Sequence, residues 1–299
     1  MIEKIYTFGT SFTAGGGWEW DSEMPYKSQR LPALYGHIDL PKTQFDFSWP
    51  GRLQKLLKDS NQEIEVINLA KCGYGNERLY RKVFELVTDN NFQKNKSLLL
   101  LEFSFMMRKE FYFRPLNDYI ICNYHFVRDK KNELKLNGPE MAHSWAYDSP
   151  ETQNLLNSYS QLFNEFFSLT MDEEDIIKKI NQGITLILSF LDNANINYLT
   201  TSTPTINPDL YRFTNYDEDR KIFWEKDGKI TEELEYFITN NKLDFTHETK
   251  GGYNDFHAGY QGCREIAKQA FNALIDKNYI KGEKLKPDWS WINYSQPII

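Results

Sequence analysis

The sequence predicts an α/β fold, a mostly parallel, doubly wound sheet in three α/β/α layers, and three observations carry that prediction. Apolar runs of strand length alternate with longer stretches whose apolar residues recur at helical spacing. The run SLLLLEF, residues 97–103, is a continuous apolar stretch, as expected of a strand covered on both faces. No internal repeat, low-complexity tract or linker interrupts the alternation, so one domain spanning residues 1–299 is expected.

Residues 4–8 read as a first strand ending at Gly9. WPGRLQKLLKD, residues 49–59, reads as a helix, with Pro50 near its start and Leu53, Leu56 and Leu57 on one face. EIEVINLA, residues 63–70, is the second strand. Residues 76–87 are the next helix, with Asn76 as N-cap and Leu79, Val83, Leu86 and Val87 as its buried stripe. Isoleucines and leucines from Ile176 to Leu191 mark a long helix, residues 196–201 a further strand, and residues 260–275 a closing helix. Two segments, about 16–48 and 105–149, are too long for simple connections and read as insertions rich in aromatics.

Composition narrows the function classes. The 299 residues are 40% hydrophobic and carry a net charge of −7 with both signs interspersed. No basic stripe interleaved with aromatics is present, which argues against nucleic acid as a partner. The longest apolar run is far too short to span a bilayer, and the N-terminus does not read as a signal peptide. A soluble, cytoplasmic protein is expected, with association with a virus particle as the other setting. Cys72, Cys122 and Cys263 are odd in number and lack redox or metal spacing, so neither a disulfide framework nor a metal site is expected.

Chemistry concentrates at three strand ends. Ser11 follows the first strand in FGTSFTAG, where a turn can lift a hydroxyl clear of the sheet edge or simply cap a helix. Near the other terminus, NDFHAGYQG places His257 just before the closing helix, where it could take the Ser11 proton. Asp255 or another acid would orient the imidazole. Gly73, after the second strand, and a donor after the third could hold an oxyanion. The segments 9–15, 72–76 and 103–108 all follow strands, so they should meet at one edge of the sheet.

These segments resemble, in order, the blocks of the SGNH (GDSL) hydrolase family. FGTSFTAG is similar to the Gly-Asp-Ser nucleophile block, with Thr10 where the family usually has aspartate. VINLAKCGYGN resembles the second block, in which a glycine five residues after an asparagine supplies an oxyanion N–H; Asn68 and Gly73 have that spacing. NDFHAGYQGCREIA resembles the last block. The third block departs: LLLLEFSFMMRKEF has no asparagine, and Ser104 or Arg108 stands in its place. The family's usual acid position, three before the histidine, holds Asn254.

The resemblance implies a flavodoxin-like fold and serine-dependent hydrolysis of an ester without a cofactor. A small acyl group, such as acetyl, on a carbohydrate is the preferred substrate, with Trp18 and Asn76 as substrate contacts. The altered third block and displaced acid also suit a second reading, a module of the same fold that binds glycans or serves a virus particle. Acyl transfer is a third. Arg108 could equally pair with Glu110 or another surface carboxylate, and Ser104 could be an ordinary buried serine.

Overall fold

The structure is a computed structural model that describes residues 2–15, 44–71, 75–104, 107–114, 118–128, 134–142, 154–155, 158–159, 173–202, 218–231, 233–243 and 257–289. In chain order its first elements are β1 (Lys4–Phe8), α1 (Ser11–Ala14), α2 (Gln44–Phe47), α3 (Trp49–Asp59), β2 (Glu65–Asn68), α4 (Asn76–Thr88) and β3 (Ser97–Phe103). Next come β4 (Met107–Phe113), β5 (Asp118–Arg128), β6 (Leu134–Ala142), α5 (Glu173–Asn193) and β7 (Asn197–Ser202). The hairpin β8 (Trp224–Lys226) and β9 (Lys229–Thr231), α6 (Leu234–Asn240) and α7 (Tyr260–Asp276) complete the described elements.

The central sheet is parallel throughout, in the order β2-β1-β3-β7. Its two faces carry different helices. On one, Leu53 and Leu57 of α3 and Ile266, Ala270 and Leu274 of α7 pack over Ile5, Leu98, Leu100 and Leu199. On the other, Leu79 and Val83 of α4 and Ile184, Ile187, Leu188 and Leu191 of α5 cover Tyr6, Phe8, Leu99, Leu101 and Phe103. Alternation along each strand sends successive residues to opposite layers, so β3 is buried over its whole length. The chain therefore has the α/β architecture that its run-and-period pattern predicts.

Local chemistry sets the helix ends. Ser48 caps α3 by accepting the Gly51 N–H at 3.3 Å, and Pro50 occupies the first turn, where its missing N–H costs nothing. The expected cap of α4 is corrected: Gly75 is the N-cap and makes no side-chain cap, while Asn76 is the first helical residue. The Asn76 amide reaches the backbone of Ser104 instead, and a Cβ at Gly75 would lie 2.8 Å from that of Arg108. β2 is shorter than expected, with residues 63–64 and 69–70 outside the strand.

Within the second insertion, β4, β5 and β6 form an antiparallel sheet of their own. It is tied to α4 through Glu110, which pairs with Arg81 at 2.8 and 3.0 Å and donates its backbone N–H to Glu77 at 2.7 Å. Glu110 thus has Arg81 as its ion-pair partner, where the sequence suggested Arg108. Among the described residues, no helix is long and apolar enough to cross a membrane.

Candidate functional site

The strand order places a topological switch point between β1 and β3, because the chain leaves β1 toward β2 on one side and returns to β3 on the other. Ligands of open α/β sheets gather in the crevice beyond the carboxyl ends of such strands. Here that crevice begins with the turn Gly9–Gly15.

Thr10 is the N-cap of α1 and Ser11 its first residue, 7% exposed. Gly15 ends the turn with φ +85°, a left-handed conformation suited to glycine, and donates its N–H to the Ser11 carbonyl. Asn68, at the end of β2, fastens this turn to the sheet. Its Oδ1 accepts from the Thr7 hydroxyl at 2.9 Å and the Ala70 N–H at 3.1 Å, while its Nδ2 donates to the Thr13 carbonyl at 3.0 Å. Trp49 Nε1 donates to the Thr13 hydroxyl at 3.3 Å.

Beneath the turn lies Glu102, the penultimate residue of β3 and 1% exposed. Its Oε1 accepts the Thr10 hydroxyl at 2.7 Å and its Oε2 the Thr10 N–H at 3.2 Å. Burial pushes the Glu102 carboxyl up to about 7 from its ordinary 4.5, while the hydrogen bonds from Thr10 and the nearby polar groups of Thr13 pull it back down. Gly9 is required by this approach, since a Cβ there would overlap the carboxylate.

His257 arrives from the far end of the chain. Gly259, the N-cap of α7, donates its N–H to the Leu243 carbonyl at 2.9 Å, and Gly262 packs against the same carbonyl so closely that a Cβ would overlap it. This seats the start of α7 beside α1. The His257 ring lies against the ring of Phe12, the residue after Ser11, with centroids 4.9 Å apart at 35°. Among the described residues, Ser11 Oγ has no hydrogen-bond partner.

Beyond β3, Ser104 is 1% exposed and its peptide is clamped by Asn76. The Ser104 N–H donates to Asn76 Oδ1 at 2.7 Å, and Asn76 Nδ2 donates to the Ser104 carbonyl at 2.6 Å. Asn76, expected as a substrate contact, is therefore engaged on the protein's own backbone and is 7% exposed. Arg108 stands near the start of β4 against Gly75, half-buried. Gly73, Trp18, Asn254 and Asp255 lie outside the described residues.

The fold thus places Glu102 beneath the Ser11 turn, His257 against Phe12 and Ser104 just beyond β3, and Glu102 has no counterpart in the sequence reading. Its signal was one charged residue inside an otherwise apolar buried strand, a position where a carboxylate needs several hydrogen bonds. Among the described residues, no three His, Cys, Asp or Glu side chains come together as metal binding would need. Comparison with protein-family models, curated proteins and solved structures finds no match to this chain.

Proposed function

We propose that the chain is a serine-dependent ester hydrolase of the SGNH type. The observation that supports it is the meeting of two distant segments: His257 packs on Phe12, next to Ser11, at the switch point of a parallel sheet. Ser11 Oγ attacks the ester carbonyl while His257 takes its proton and returns it to the leaving alcohol. Asp255, or Asn254 in its place, orients the imidazole. The Ser11 and Gly73 N–H groups hold the oxyanion, with Ser104 or Arg108 as a further donor. Water then releases the acyl group from Ser11, and the cycle uses no cofactor.

A small acyl group on a carbohydrate is the proposed substrate, the ring stacking on aromatics such as Trp18. The test is hydrolysis of 4-nitrophenyl acetate and of acetylated sugars. Ser11→Ala and His257→Ala should each lower the enzyme's rate at least about a thousandfold. Wild-type turnover that survives Ser11→Ala would overturn the reading.

A second reading, a glycan-binding or virion module that kept the fold without the chemistry, is favoured by one observation. Among the described residues, Ser11 Oγ has no hydrogen-bond partner, His257 included. Free active sites are often this loose. Turnover separates the two.

A further inference from the structure

We propose that Glu102 is the positioning residue of the Ser11 turn: a buried carboxylate, supplied by β3, that holds both the N–H and the hydroxyl of Thr10 and so fixes where the Ser11 hydroxyl stands. Its consequence for chemistry rests on the hydrolase reading; the positioning itself rests on geometry alone.

A carboxylate removed from water needs a cation or hydrogen-bond donors. Among the described residues no cation pairs with Glu102, and its hydrogen-bond partners are the hydroxyl and the N–H of Thr10, one on each carboxylate oxygen. Both donors belong to the residue before Ser11, so the carboxylate grips the chain next to the nucleophile candidate. Three other contacts fit the same purpose. Gly9 leaves room for the carboxylate, Trp49 braces the Thr13 hydroxyl from the α3 side, and Asn68 holds the Thr13 carbonyl. A leucine at this position would continue the apolar run Leu98–Leu101 and would avoid desolvating a charge. The acid instead serves the turn.

Because Thr10 Oγ1 touches the carboxylate at 2.7 Å, an acid could also reach the turn from the Thr10 side. This gives a test that a merely structural role would fail. Wild type, Glu102→Gln and Thr10→Asp/Glu102→Gln would be compared by fluorophosphonate labelling rate and by amide exchange at Thr10, after thermal unfolding confirms that each is folded. Glu102→Gln should slow labelling about tenfold or more and speed exchange of that amide by a similar factor. The relocated carboxylate should recover both to within about threefold of wild type. Should Glu102→Gln fail to fold, Thr10→Val removes the hydroxyl donor without touching the acid and should shift both readouts less, in the same direction.

Wild-type labelling and exchange in folded Glu102→Gln would overturn the proposal. So would a folded double variant no better than the single one. If wild type itself resists the probe, that failure belongs to the hydrolase reading, and amide exchange alone decides the positioning.

Discussion

At the carboxyl end of the sheet the two faces differ in kind. Toward α4 and α5, β1 and β3 end in Phe8, Leu101 and Phe103, all buried in one apolar layer. Toward α3 and α7, adjacent strands present Asn68, Thr7, Glu102 and Thr201, each with hydrogen-bond partners. Thr7 pairs in register with Asn68 and, two residues further toward the carboxyl end, Glu102 pairs with Thr201, so this face carries polar groups on all four strands. The first face is built for burial alone. The second accepts the cost of buried polar groups, and the Ser11 turn and His257 lie at that end. Asymmetry of this kind locates a site more sharply than any single side chain.

The largest expected contrast comes from the apolar face. Leu101→Ala should destabilise the fold by about 2–5 kcal/mol in chemical denaturation, while the folded fraction keeps its labelling rate. Loss of labelling with intact stability would break the comparison.

On the polar face, Glu102 should show itself in the pH dependence of stability. Its folded pKa, about 7, lies above its ordinary 4.5, so the folded state holds the proton more tightly. Stability from this group is full below about pH 4.5 and is lost as pH rises through about 7. At about 1.4 kcal/mol per pH unit, wild type should lose about 3 kcal/mol relative to Glu102→Gln across that window. Parallel pH profiles for the two proteins would contradict the burial argument.

Gly9→Ala should cost about 1–3 kcal/mol by overpacking. The added Cβ overlaps the Glu102 carboxylate, so a stable variant would mean that the acid does not press on the turn. The smallest effect belongs to neither face. Lys55 and Asp59 pair at 2.7 Å on the exposed side of α3, and Lys55→Ala should change the unfolding midpoint by less than about 0.5 kcal/mol.

The elements were legible where periodicity is strong. α3 and β3 fall on the residues their patterns mark, and α5 and α7 differ at their ends by a few residues. Strand alternation also brings strand ends together: among the described residues, Asn68 of β2 and Glu102 of β3 bond the turn after β1, and Asn76 bonds Ser104 after β3. Partner choice was not legible. Asn76 before a helix reads as a cap, yet its amide serves Ser104, because a tertiary partner 28 residues away satisfies both its donor and its acceptor. Arg108 and Glu110 share one face of a strand, but the bidentate partner of Glu110 comes from α4. Glu102 sat in plain view inside an apolar run, and only the fold reveals that Thr10 meets it.

The central claim is that Ser11 is an activated nucleophile, and the most direct measurement maps a fluorophosphonate adduct by peptide mass. A single adduct on the peptide containing Ser11, absent in His257→Ala, is the predicted result. An unmodified Ser11, under conditions in which a known serine esterase is fully labelled, would contradict it.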